Sequence, residues 1–262
     1  MFFSGSPNLA DGFCKYFSID AAVTPAQLDA VFNIRHQVYC EDLKFEPEHP
    51  DRKETDEHDS NSLHCLLRTA GATPQPVGCT RLVCARAGTP DYLLPFERTC
   101  EQTLDRTIVD PARLPRERIG EVSRLAVVAA FRRRRGEARQ VFGLDSGDYG
   151  APFQPRFPYV PISLYLGVVA LAARNQIDTL FLLTEPRLAT HFARLGVDIR
   201  QIGQPVMHRG ARIPSMIDVP AIIADLRPFL RPLWDHIYAA MEPGKRDVTT
   251  APITPSSGTE RP

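Results

Sequence analysis

The sequence predicts an α/β protein in which helices flank one mixed β-sheet. Short runs rich in β-branched and aliphatic residues, such as 77–85 and 179–185, have the composition of strands. Other segments, such as 25–40, carry apolar residues at three- and four-residue spacing, which is typical of helices. The two kinds of segment alternate along the chain, and that order indicates an α/β sandwich. Since no repeat or interdomain linker interrupts it, we expect one domain over 1–242 and a disordered tail over 243–262.

Composition limits the classes of function. The chain has 262 residues, with 31 basic and 31 acidic side chains. This balance argues against a nucleic-acid-binding protein, which usually carries a basic excess. The six cysteines form no C-x-x-C pair, and the first residues lack the basic region and long apolar core of a secretory signal. We therefore expect a reduced, cytoplasmic location.

The N-terminal third is predicted to hold a strand, a helix and a hairpin. Residues 13–23 form a possible first strand. Thr24 and Pro25 are typical of a helix N-cap and first position, and the helix they begin extends to about Cys40. A polar, acidic loop over 41–62 follows. The remaining elements are a strand at 63–69, a turn at 71–76 and a second strand at 77–85.

The rest of the chain alternates less regularly. Prolines interrupt 86–118, where 96–104 is a possible short helix, and 121–128 is predicted to be a central strand. The later segments are an irregular insertion at 143–160, a helix at 161–175, a buried strand at 179–185, a helix at 186–196, one or two strands within 197–218, and a last helix over 219–241 interrupted at Pro228 and Pro232.

A basic loop follows the predicted central strand. Four arginines, Arg132 to Arg135, precede Gly136 and a polar segment of helical character. Backbone N–H groups and the helix dipole make such a helix start attractive to phosphate or pyrophosphate. A solvated basic turn is the alternative interpretation.

This loop resembles the Arg-x-x-Gly-x-Gly/Ala signature of the GNAT superfamily of acyltransferases. Here it reads Arg133-Arg134-Arg135-Gly136-Glu137-Ala138. In that superfamily the loop holds the phosphates of a pantetheine-bearing acyl donor. The resemblance therefore implies a donor site that comprises Val127, Arg133, Arg135, Gly136 and Ala138.

Four further motifs occur in order along the chain. They are Arg35-x-x-x-Tyr39 with the following Phe45, Asp56-x-x-Asp59, Arg81 within GCTRLV, and Glu121-x-x-Arg124. The ordered set resembles the acyl-homoserine-lactone synthases and the related N-acyl amino acid synthases, which have the GNAT fold. It is most similar to the acyltransferases associated with PEP-CTERM/exosortase systems, which also share a later Gly-x-Pro-Val-x-His-x-Gly-x-Arg-x-Pro pattern, present here as 203–214. The resemblance covers roughly residues 17–225.

The resemblance implies a GNAT-like fold and an N-acyltransferase. A fatty acyl thioester on acyl carrier protein, or on CoA, would react with the amine of a small amino-acid-like acceptor. No tightly bound cofactor is implied, and the acyl-phosphopantetheine thioester is a co-substrate. The acceptor site and its entrance would comprise Arg35, Tyr39, Phe45, Asp56, Asp59, Arg81, Glu121, Ser123 and Arg124.

Acyl transfer to an amine requires these residue types on chemical grounds, independently of the resemblance. Attack by an amine needs a base, for which we favour Glu121, with Asp56 as second choice and as a contact for the ammonium group. The carboxylate of the acceptor suits a guanidinium from Arg35, Arg81 or Arg124. We expect backbone N–H groups near the end of the 121–128 strand to meet the oxyanion. The alternative is a buried Glu–Arg network that only stabilises the fold.

Other possibilities remain open at this point. Autoinducer synthases have phenylalanine and tryptophan where this chain has Tyr39 and Phe45, which disfavours S-adenosylmethionine as acceptor. An acyl-homoserine-lactone synthase and a non-catalytic module that binds the carrier or a lipid are the alternatives. The four arginines could steer an acidic carrier protein, and the apolar side chains of the last helix could contact a membrane edge. His49, His58, His64 and Cys65 fit no zinc spacing, so we expect no metal site.

Overall fold

The computed structural model describes residues 8–85, 88, 92–132, 157–185 and 198–241. Its centre is an eight-stranded sheet with the order β1-β2-β3-β4-β5-β8-β6, and β7 pairs with β8. The strands are β1 (Phe17–Ala21), β2 (Ser62–Thr69), β3 (Pro76–Cys84), β4 (Ile119–Val127), β5 (Thr179–Thr184), β6 (Arg200–Gln201), β7 (Val206–Met207) and β8 (Ala211–Asp218).

The sheet is mixed, as the sequence predicts. β4 and β5 run parallel, whereas the other pairs of strands in the described part of the chain are antiparallel. A helix connects β4 to β5, because parallel neighbours need a crossover. The helices are α1 (Leu9–Tyr16), α2 (Pro25–Arg35), α3 (Pro95–Thr99), α4 (Tyr159–Arg174), α5 (Val219–Ala224) and α6 (Arg231–Ala240).

Helices cover both faces of the sheet. On one face, α4 is buried along most of its length and packs with α6 against apolar side chains of β2 and β3. On the other face, α2 packs beside Cys79 and Ala126, and α3 packs beside Val83 and Phe181. The active-site candidates lie on this second face.

The start of α2 follows from its capping residues. Oγ1 of Thr24 accepts a hydrogen bond from the backbone N–H of Gln27, whose side chain in turn accepts from the backbone of Thr24. Beyond Arg35 the chain continues as a π-helix, His36–Asp42, in which Leu43 N–H donates to the carbonyl of Val38 at 3.0 Å. The predicted helix is thus confirmed. Its π-helical end carries Tyr39, and such segments often occur at functional sites.

The structure corrects three predictions of secondary structure. Residues 13–16 are helical rather than extended, because α1 has its own N-cap at Asn8 and packs on α6. α3 ends at Thr99, so the predicted 96–104 helix is too long. The last helix breaks at Pro228, as predicted, but Pro232 lies in the first turn of α6 and causes no break. The predictions for 143–156, 186–196 and 243–262 lie outside the described residues.

A gap opens between β4 and β5. The two strands pair only as far as Val122 with Leu182, whereas β4 pairs with β3 to its end at Val127. A register shift between β3 and β4 gives β4 one extra residue there, and Arg124 takes a left-handed conformation with φ of 48°. Such a bulge bends a strand and redirects its side chains. The second half of β4 therefore separates from β5.

Across the described ranges, every helix is too short or too polar to cross a lipid bilayer.

Candidate active site

A cavity of about 410 Å³ lies where β4 separates from β5. Its walls come from β4, the end of β5, the loop after the π-helix and the β7–β8 turn. Seven of the predicted site residues line it, namely Tyr39, Phe45, Asp56, Arg81, Glu121, Ser123 and Arg124. The sequence motifs therefore meet in one place, although 85 residue numbers separate Tyr39 from Arg124.

Glu121 is a buried carboxyl group in this cavity. Its side chain lies on β4, and the residue is only 4% exposed. Its Oε2 accepts a hydrogen bond from the backbone N–H of Phe96 at 2.7 Å. Burial raises the pKa of Glu121 to about 7, because desolvation of the carboxylate outweighs that hydrogen bond and the nearby charges of Arg81 and Arg124. A carboxyl group with a pKa near neutrality can both accept and release a proton under ordinary conditions.

Arg81 connects the two aspartates of the Asp56-x-x-Asp59 motif. Its Nη1 donates to Oδ1 of Asp56 at 2.6 Å and to Oδ1 of Asp59 at 2.9 Å. Its Nε donates to Oγ of Ser123 at 3.0 Å, so the bond joins neighbouring strands β3 and β4. Although burial alone would raise the pKa of Asp56, its hydrogen bond with Arg81 brings that pKa below its usual value. Asp56 therefore stays ionised, which suits contact with an ammonium group better than proton abstraction.

Arg35 and Asp59 lie behind the cavity wall rather than on its surface. Arg35 is fully buried and donates from Nη1 and Nη2 to both carboxylate oxygens of Asp59, at 2.6 and 3.1 Å. Burial would raise the pKa of Asp59, but the hydrogen bond and charge of Arg35 hold it far below its usual value. In the described structure, neither side chain lines the cavity. Their ion pair supports the wall from behind.

Glu54 completes the network, and the motifs by themselves did not single it out. It accepts hydrogen bonds from Nε of Arg35 at 2.5 Å and from Nη2 of Arg124 at 3.0 Å. Burial by itself would raise the pKa of Glu54, but the hydrogen bonds and charges of Arg35 and Arg124 outweigh it and bring that pKa below its usual value. The motifs hold three arginines and three carboxyl residues, so the count of charges gives no signal, and Glu54 is marked only by its place two residues before Asp56.

Tyr39 and Phe45 shape the apolar side of the site. Oη of Tyr39 donates to the backbone carbonyl of Leu125 at 2.8 Å, next to the bulge in β4. The guanidinium of Arg124 lies 5.6 Å from the centroid of the Tyr39 ring. Phe45 N–H donates to the carbonyl of Tyr39 at 2.8 Å, which fixes the chain as it leaves the π-helix. Burial raises the pKa of Tyr39 to about 12, so the phenol remains a donor.

The β7–β8 turn and the start of β8 add basic residues to the site. In the sequence analysis these residues appear only as part of the pattern at 203–214. His208, Arg209 and Arg212 line the cavity. Arg209 forms an ion pair with Glu46, and Nη1 of Arg212 lies 2.6 Å from Oε1 of Glu185. Arg209 and Gly210 have positive φ angles of 52° and 105°, which the tight turn requires.

The predicted donor site is described only in part. Val127 is buried in the core beside α4, and its side chain does not line the cavity. Its backbone lies beyond the last β4–β5 pair. Arg133, Arg135, Gly136 and Ala138 lie outside the described residues. Arg132 is described, and its guanidinium pairs with Asp42.

Comparison with known proteins supports the fold predicted from the motifs. Residues 34–141 match the acetyltransferase (GNAT) domain model. No protein of curated function matches the sequence.

Several solved structures resemble the chain. The AHL synthase LasI is 16% identical over 80% of this chain and 93% of its own, with a TM-score of 0.52. BjaI, a CoA-dependent acyl-homoserine lactone synthase solved with SAM and isopentyl-CoA, is 19% identical over 85% and 89%, with a TM-score of 0.51. FeeM, an N-acyl amino acid synthase from uncultured soil microbes, is 17% identical over 83% and 96%, with a TM-score of 0.51. At these identities the likeness shows the fold, and the GNAT-like fold is therefore confirmed.

Proposed function

We propose that the chain is an N-acyltransferase that makes N-acyl amino acids. The donor is a fatty acyl thioester on acyl carrier protein, or on CoA, and the acceptor is the amine of an amino acid or a related molecule. The observation that carries this proposal is the position of Glu121. A buried carboxyl group with a pKa near 7 lies in a cavity that also holds ionised Asp56.

Each part of the reaction has a group suited to it. Asp56 attracts the ammonium form of the acceptor, and loss of one proton to solvent yields the free amine. As the amine nitrogen attacks the thioester carbonyl carbon, ionised Glu121 takes a second proton from that nitrogen. The tetrahedral intermediate then collapses, the C–S bond breaks, and Glu121 gives its proton to the leaving sulfur. The products are an amide and a free pantetheine thiol.

The gap between β4 and β5 supports this scheme. Beyond Val122, the backbone of β4 no longer pairs with β5, so polar groups along that edge are available to a ligand. Backbone N–H groups in 123–127 are suited to stabilise the oxyanion. We propose that the pantetheine arm enters through this gap and that its phosphate reaches the basic loop that begins at Arg132. The cytoplasmic location, the carrier protein and the PEP-CTERM association stay predictions.

One experiment separates the proposal from its alternatives. Purified protein is incubated with palmitoyl-acyl carrier protein or palmitoyl-CoA, and with either a mixture of L-amino acids or S-adenosylmethionine. Release of free thiol and the product mass are recorded. An N-acyl amino acid supports the proposal, an acyl-homoserine lactone supports the autoinducer alternative, and carrier binding without thiol release supports a non-catalytic module.

A further inference from the structure

The cavity has two walls with different electrostatic character. The first wall holds Arg81 and Arg124 within the buried network, where each contacts two or more carboxylates. The second wall is the β7–β8 turn together with the start of β8. There Arg209 pairs with Glu46, and Arg212 pairs with Glu185.

The arginines of the first wall are poorly placed to bind a further carboxylate. Arg81 shares Nη1 between Asp56 and Asp59 and is 1% exposed. Arg124 contacts Glu54 and Asp56 at 3.0 Å each. Displacing a partner from such a buried pair would leave a desolvated charge without compensation, which is strongly unfavourable.

Arg212 can exchange its partner at much lower cost. Its contact with Glu185 uses one terminal nitrogen, and the side chain of Glu185 is 36% exposed. The Arg212 side chain is only 14% exposed, but a released Glu185 carboxylate returns to water while the incoming carboxylate takes its place, so neither charge is left buried without a partner. The other terminal nitrogen donates to the backbone carbonyl of Arg209 at 3.2 Å, which fixes the direction of the guanidinium.

Strand register places Arg212 on the correct face of the sheet. Glu121 pairs with Phe181, and Phe181 pairs with Met216, so these three side chains share a face. Alternation along β8 puts Arg212, four residues before Met216, on the same face. His208 lines the cavity beside it, and its pKa is lowered by burial first and then by the charges of Arg212 and Arg124.

We infer that Arg212, supported by Arg209 and His208, binds the carboxylate of the acceptor, and that the enzyme therefore selects amino acids over neutral amines. This inference rests on the proposed function and deepens it. The acceptor lies between two walls: Asp56 holds its amine end beside Glu121, and the β7–β8 turn holds its carboxylate by exchange with Glu185. A guanidinium suits this task because it presents paired donors to a carboxylate.

The test compares each acceptor with its carboxamide, which keeps the amine and lacks the negative charge. Wild type, Arg212→Met and Arg212→Lys are assayed with palmitoyl-acyl carrier protein and with L-amino acids or their carboxamides. Arg200→Met is the control, because Arg200 is exposed on β6 and does not line the cavity. We expect Arg212→Met to lower kcat/KM for the amino acid roughly 10- to 100-fold, the value of a charge-assisted hydrogen bond. Turnover of the carboxamide should stay within about twofold, and Arg212→Lys should recover part of the loss.

Other outcomes have distinct meanings. An equal loss for amino acid and carboxamide would show that Arg212 only supports the fold, and this would overturn the inference. A raised KM for the acyl carrier protein with an unchanged acceptor KM would assign the cations to a donor phosphate instead. If wild type forms no amide with either acceptor, the proposed function itself fails, and the inference fails with it.

Discussion

The backbone N–H of Phe96 donates a hydrogen bond to Oε2 of Glu121 at 2.7 Å, so the first turn of α3 contacts the carboxyl group at the head of the gap between β4 and β5. Pro95 and Thr99 of the same helix line the cavity. The contact favours the ionised carboxylate, while burial favours the protonated form and dominates. The balance of the two brings the pKa of Glu121 close to neutrality.

The first prediction concerns stability. The pKa of Glu121 is about 7 in the folded protein and about 4.5 without the fold, so the folded state keeps a proton that the unfolded chain loses between these pH values. The contribution of Glu121 to the free energy of unfolding is therefore fully present below about pH 4.5. It is lost as pH rises through 7, and the loss amounts to roughly 3 kcal/mol. Glu121→Gln removes this loss and keeps an acceptor for Phe96 N–H.

Denaturant unfolding at pH 5 and pH 8 measures the effect. The variant should gain stability over wild type on going from pH 5 to pH 8. Glu117→Gln is the control, because Glu117 is exposed just before β4 and the same chemical change there should have little effect. An identical pH dependence for wild type and Glu121→Gln would contradict a raised pKa.

The second prediction concerns the pH dependence of activity. If Glu121 is the base, kcat/KM rises as its carboxyl group ionises, with an apparent pKa near 7. The amine of the acceptor also titrates, so two acceptors with different amine pKa values are compared, an amino acid and its carboxamide. One limb of the profile should stay near pH 7 for both acceptors. A profile that moves entirely with the acceptor would remove Glu121 as the base.

The third prediction concerns the buried ion pairs behind the cavity. Asp59→Asn leaves the buried guanidinium of Arg35 short of a carboxylate and should destabilise the fold by about 3–5 kcal/mol. Asp29→Asn is the matched control, because Asp29 pairs with Lys53 on the surface and its loss should matter little. Urea unfolding compares the two variants. Equal, small effects would mean that the network does not support the cavity wall.

The fourth prediction concerns Tyr39. Tyr39→Phe removes the hydroxyl that donates to the carbonyl of Leu125 at the bulge in β4. The loss should cost about 1–2 kcal/mol of stability, and the acceptor KM should rise because the cavity edge moves. Tyr16→Phe serves as the control, since Tyr16 is 54% exposed. Unchanged stability and KM would show that the bulge is held by other contacts.

Much of this architecture can be predicted from sequence because its signals are local. Thr24 and Pro25 mark the start of α2, and the apolar run at 179–185 marks a central strand. The error at 13–16 has a physical cause: a short amphipathic segment can be helix or strand, and packing against α6 decides between them.

The site, too, has features that the sequence predicts and features that only tertiary contacts determine. The resemblance to a known family predicts that Glu121, Arg81 and Asp56 lie in one site, although they are far apart in the sequence. Spacing along the chain does not reveal that Arg35 turns away from the cavity, or that Glu54 joins it to Arg124, because both follow from tertiary contacts. The sequence alone does not show that the basic β7–β8 turn belongs to the site, because only the folded sheet brings the turn opposite Glu121.

Mass spectrometry of lipid extracts tests the central claim most directly. Cells that express the wild-type chain, Glu121→Gln or an empty vector are compared. Our account predicts a new series of N-acyl amino acids in the wild-type extract alone, since removal of the base should lower turnover by about 10²- to 10⁴-fold. An equal series in cells that express folded Glu121→Gln, or acyl-homoserine lactones in place of N-acyl amino acids, would contradict it.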